Sequence, residues 1–122
     1  VGNPFSLTTS KNNFNSLPEE CKEELLVVRE SLIGLLRKGS QYSISLKNGS
    51  GESPVAIVKE ISTFKASITE RLEQNLIKFR GDSGNTNIST YMLYQTVLQE
   101  SQQIADSLKH LLRAYYKLYS IK

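Results

Sequence analysis

Along three stretches of this chain, apolar side chains return at alternating steps of four and three residues, the repeat that lines one face of an α-helix. The first series is Cys21, Leu25, Val28, Leu32, Leu35, Tyr42 and Leu46, with Gly39 in the slot between Leu35 and Tyr42. A glycine inside a helix costs about 1 kcal/mol relative to alanine, so Gly39 either ends the helix or lets a neighbour approach closely. YSISL, residues 42–46, alternates like a short strand. The seam nevertheless stays in register across the glycine, and a continuous helix is expected. The second series is Ile57, Ile61, Phe64, Ile68, Leu72, Leu76 and Phe79. The third is Tyr94, Val97, Ile104, Leu108, Leu111, Tyr115 and Leu118, with Ser101 in one slot. Leu93, Leu98 and Leu112 widen that stripe, so the third helix is expected to touch more than one neighbour.

Boundary signals agree with these faces. Ser16 can cap the first helix, with Pro18 in its first turn and Glu19 three residues after the cap. Glu19, Glu20, Glu23 and Glu24 crowd the end where the helix dipole favours acids. KNGSGES reads as a turn, after which Ser53 caps and Pro54 opens the second helix. That helix stops at Gly81 in GDSGNTN, and the third begins near Asn87 or Ser89. Lys109, Arg113 and Lys117 load its last turns with the charge the dipole prefers there. Helices are therefore expected at about 17–47, 54–80 and 88–119, each roughly 40 to 48 Å long at about 1.5 Å per residue. Short connections between long helices predict an all-α, antiparallel, up-down-up three-helix bundle. Residues 1–15 are expected to form a polar, flexible arm.

The totals exclude several classes. A chain of 122 residues is one domain, large enough to bury a core unaided. Its net charge of +3, from 15 basic and 12 acidic residues, is spread along the chain without a basic stripe, so no nucleic-acid partner is expected. Cys21 stands alone, too few thiols for an internal disulfide or a cysteine-based metal site, which fits a reducing compartment. No apolar run reaches about 18 residues, so no membrane span is expected. The opening VGNPFSLTTSKNNFN lacks the build of a signal peptide. Starting with Val rather than Met, the chain reads as a piece of a longer protein or a processed one.

Candidate chemistry is sparse. Asp106 and His110 lie four residues apart and share a helix face. With no second histidine to complete a ligand set, they are expected to make a local contact on a solvated face. The glycine-bearing NGSG and GDSG follow no strand and fit neither phosphate-loop pattern. Cys21, on the first seam, reads as a small buried hydrophobe. Ser101 in the third seam reads as a packing and register residue. Tyr115, Tyr116 and Tyr119, interleaved with Lys117, make an aromatic and basic tail suited to docking on a partner. Within it, Tyr115 and Tyr119 are expected to pack and Tyr116 to be exposed.

ADSLKHLL invites comparison with histidine phosphotransfer bundles, but Asp106 occupies the place of their phosphorylated histidine, so that chemistry is not expected. A second resemblance goes further. Three long helices, the third carrying Gln102-Gln103-Ile104-Ala105-Asp106, resemble one half of a PhoU-type domain, whose closing helix often bears E-[RK]-I-[GA]-D. Asp106 matches the family's metal-binding acid, and Ile104 with Ala105 matches the spacer between its acids. Gln102 stands where the family has Glu, so no metal is expected, with Asp106 the one candidate ligand left. Residues 89–119 also resemble the helical tail that follows the membrane part of some bacterial inorganic-phosphate or sodium/phosphate transporters. The resemblance implies a cytoplasmic, non-enzymatic accessory domain. It would take no cofactor, bind no small-molecule substrate in its core, and either self-associate as a dimer or dock on the membrane part of a transporter. A self-standing adaptor bundle is the alternative.

Overall fold

A computed structural model describes residues 17–81 and 88–121, with 79–81 described by their backbone only. The expected arm at 1–15, the Ser16 cap, the side chain of Phe79 and the helix start at Asn87 lie outside the described residues. Three helices account for nearly everything else: α1 (Glu19–Lys47), α2 (Val55–Gly81) and α3 (Ile88–Ser120). They pack on one another as an all-α bundle.

α1 begins one residue past Pro18, which holds the N-cap position with ψ at 147° and offers its carbonyl to the amide of Lys22 at 3.1 Å. Glu19 and Glu20 occupy the first turn. The helix runs unbroken through Gly39 and through YSISL. It ends in a Schellman motif: Gly49, at φ +94°, donates to the carbonyl of Leu46 at 3.0 Å, and Ser50 donates to that of Ser45 at 2.9 Å. Glycine is needed at 49 because side chains resist that backbone conformation. Pro54 is buried, and its carbonyl accepts from the amide of Val58 at 2.9 Å as α2 starts.

Contacts fix which residues face each other. Along α1, Glu20, Glu24 and Lys38 pair with Lys78, Arg71 and Glu60 of α2. Along α2, Lys65, Thr69 and Asn75 pair with Asp106, Gln102 and Tyr94 of α3. Glu24 also reaches Tyr94, and Gly39 faces Leu108. α3 packs against both neighbours, whereas α1 and α2 meet across an open groove of about 680 Å³ floored by Leu35 and Phe64.

The core contains Leu25, Val28 and Leu35 of α1, Ile61, Phe64 and Ile68 of α2, and Tyr94, Leu98, Ala105, Leu108 and Leu112 of α3. Two expected faces are corrected. On α2 the buried position is Asn75, and Leu76 is exposed. On α3 the buried line is Thr90, Tyr94, Leu98, Ser101, Ala105, Leu108 and Leu112. Ile104, Leu111 and Leu118, expected on the seam, are 44%, 46% and 62% exposed. The period is right and the line is one residue off: Leu98, Ala105 and Leu112 repeat every seven residues just as Ile104, Leu111 and Leu118 do, and it is the former line that packs into the core.

Gly39 is buried, and a methyl group there would stand 2.8 Å from Cδ1 of Leu108. Replacing Leu108 with Ala is expected to cost about 2 to 5 kcal/mol, read from urea unfolding. In that background Gly39→Ala should stabilise by about 1 kcal/mol, its helix-propensity gain. In the wild type most of this gain is offset by displacement of Leu108, so a double-mutant cycle should show coupling between the two sites.

Candidate functional site

Asp106 lies on the side of α3 that faces α2, and three cationic or titratable groups converge on it. Lys65 of α2 approaches Oδ1 at 2.5 Å, Lys109 approaches the same oxygen at 3.0 Å, and Nε2 of His110 lies 3.2 Å from Oδ2. One turn earlier, the amide of Gln102 donates to the Lys65 carbonyl at 2.9 Å and to Oγ1 of Thr69 at 2.7 Å. Hydrogen bonds from Lys65 and then Lys109 hold the Asp106 carboxyl well below the usual range. A carboxylate held anionic in this way is a poor proton acceptor near neutrality. The group clamps α2 to α3. His110 adds the expected local contact and is itself mostly exposed. The i,i+3 partner Lys109 is legible in the sequence; Lys65, 41 residues away, is not. Among the described residues, no three of His, Cys, Asp or Glu gather as a metal site.

A second polar cluster ties all three helices together. Tyr94 is 1% exposed, and its hydroxyl donates to Glu24 Oε2 of α1 while accepting from Nδ2 of Asn75 at 2.8 Å. Asn75 also donates to the Arg71 carbonyl at 2.7 Å, and Nη1 of Arg71 lies 3.9 Å from Glu24. Burial first, and then the Glu24 hydrogen bond, pushes the Tyr94 phenol well above its ordinary value. Nearby Cys21 is half-buried against the core, and burial followed by the charges of Glu24 and Glu20 raises its thiol. It stays protonated and is a weak nucleophile.

At the opposite end of the bundle, Tyr115 and Tyr116 are half-buried and Tyr119 is 46% exposed. This corrects the expectation that Tyr119 packs and Tyr116 is free. Tyr119 follows the core line, but the pairing of Gly39 with Leu108 places it past the level at which α1 ends, at Lys47. Tyr42 of α1 secures this end by donating to the carbonyl of Glu52 at 2.5 Å. Tyr116 and Lys117 line a cleft of about 590 Å³ between the end of α3 and the first turns of α2, with Pro54, Val58, Lys59 and Arg113. Lys117 is exposed, and Tyr115 is not part of the cleft.

Replacing Tyr94 with Phe leaves Glu24 and Asn75 short of a buried partner and is expected to cost about 1 to 3 kcal/mol. The folded protein holds the Tyr94 proton more tightly than the unfolded chain, so this contribution is complete below pH 10 and is lost as pH rises past it. Alkaline unfolding should therefore be less steep in Tyr94→Phe. Asp106 behaves in the opposite sense: its contribution is present above pH 3.8 and fades as pH falls. Solvent and salt screen the exposed pairs, so Asp106→Asn should lower the melting temperature slightly at neutral pH and less in acid.

A scan against protein-family models matches none, and searches of curated proteins and of solved structures return no significant match.

Proposed function

We propose that this chain is a non-enzymatic helical module that works by docking, with its helices running up, down and up in antiparallel order. The pairings of α1 with α2 and of α2 with α3 support that course, since partner numbers fall in one helix as they rise in the other. The observation that carries the docking role is the line Ile104, Leu111 and Leu118. These large apolar residues repeat every seven positions on α3 and stay exposed, while the parallel line beside them is buried. A seven-residue apolar repeat matches the seam of a helix pair, and a contiguous exposed apolar surface marks an interaction site. A second copy of the chain is the proposed occupant, giving a dimer through α3.

The QQIAD sequence ending at Asp106 supports a place among PhoU-like accessory domains of phosphate-transport proteins, on the cytoplasmic side. Lys65 and Lys109 occupy the one acid retained from that motif, so the role assigned here is regulatory and metal-free. The exposed Tyr119 favours the second reading, an adaptor that presents its Tyr115–Tyr119 end to a different protein. Among the described residues, no helix is long and apolar enough to cross a membrane.

Sedimentation of the wild type is expected to show a dimer, and Ile104→Gln with Leu111→Gln a helical monomer of unchanged fold by circular dichroism. A wild type that stays monomeric at high concentration overturns the self-docking role. The transport assignment is tested on the full-length polypeptide: apolar spans of about 20 residues on the same chain uphold it. A complete protein without them favours the adaptor.

A further inference from the structure

We propose that the cleft between the start of α2 and the end of α3 binds an amphipathic anion, a phosphate monoester carried on an apolar chain. Three cations from two helices, Lys59, Arg113 and Lys117, line this cleft, and none of them has an ion pair among the described residues. Lys22, Lys38, Lys65, Lys78, Lys109 and Arg71 each have a carboxylate within 4.0 Å, and the other described cations without one, Arg29, Arg37 and Lys47, do not line this cleft. Arg113 and Lys117 are four residues apart on one helix face, where like charges repel.

The α3 dipole favours cations at that helix's C-terminal end, which gives Arg113 and Lys117 a structural reason to be there. It gives Lys59 none, because Lys59 lies near the N-terminal end of α2, the positive end of its own helix. The first turn of α2 has no acid to offset that end. Three cations and a helix N-terminus thus concentrate positive potential on one cleft, more than a single carboxylate neutralises. A phosphate monoester carries close to two negative charges at neutral pH and accepts forked hydrogen bonds from arginine.

The walls select what the head is attached to. Pro54, Val55, Val58 and the Tyr116 ring make most of the cleft apolar. Its volume of about 590 Å³ is within the usual range for small-ligand sites. A bare inorganic anion would leave that apolar surface wet, and an uncharged chain would leave the cations unpaired. The site uses none of Ile104, Leu111 and Leu118, so it stands whether or not the chain dimerises.

The test uses the intact chain with hexyl phosphate, inorganic phosphate and hexanol, followed by NMR shifts of Tyr116 and Val58. Hexyl phosphate is expected to saturate, binding about tenfold or more tightly than either fragment. Arg113→Gln with Lys117→Gln should weaken it by about tenfold or more through loss of charged hydrogen bonds. Lys59→Gln, on the other helix, should weaken it as well, and circular dichroism should show all variants folded. Vesicles of phosphatidic acid in phosphatidylcholine separate the sources of the ligand. Cosedimentation that the double variant abolishes assigns the head group to a membrane, and hexyl phosphate binding without cosedimentation assigns it to a free amphiphile. Binding of neither, or binding unchanged in both variants, overturns the proposal.

Discussion

One helix with two neighbours is the constraint from which the rest of this structure follows. α3 must bury an apolar surface against α1 and another against α2, so its covered face is broad and its packing residues must suit both. Tyr94, Leu98 and Leu112 are almost wholly enclosed between those neighbours. Burial on this scale is the dominant favourable contribution to folding, and it is strongest along α3. Small residues at Ser101, Ala105 and Gly39 let the helices come close between the larger side chains.

Polar groups then decide how the greasy rods align. A hydrophobic face alone tolerates sliding and rotation, whereas a buried hydrogen bond is costly to leave unmade. The Tyr94 hydroxyl, held by Glu24 and Asn75, sets α1, α2 and α3 at one level of the bundle. Asp106, caught between Lys65 and Lys109, sets α2 against α3 several turns away. The buried Tyr94 station carries the alignment of α2 against α3, and the half-exposed Asp106 pair, screened by solvent, adds to it weakly.

Much of this was legible in the sequence and some was not. The helices, their ends at Lys47 and Gly81, and the continuity through Gly39 follow from local patterns, because capping, turn chemistry and periodicity are local physics. The core assignments of Leu25, Val28, Leu35, Ile61, Phe64, Ile68, Tyr94 and Leu108 follow from the same periodicity. The face assignments failed at Leu76, Ile104 and Leu111 because one helical period fits two adjacent lines of residues, and the period alone does not say which line the neighbouring helices cover. Asn75 was missed because a polar residue on an apolar face is visible only through its partner, and Tyr94 lies 19 residues away. The same holds for Lys65 beside Asp106, and for the cleft that joins Lys59 to Arg113. A single sequence carries no record of which distant residues meet.

The groove between α1 and α2 has a mechanical consequence. These two helices are joined by surface charge pairs such as Lys38 with Glu60 and Lys78 with Glu20, and each leans on α3 for its apolar contacts. Water-exposed ion pairs resist separation weakly. The molecule therefore has a soft seam on one side and a stiff spine on the other. Parting α1 from α2 would meet less apolar resistance than parting either from α3, and it would wet Leu35 and Phe64, which already line the groove.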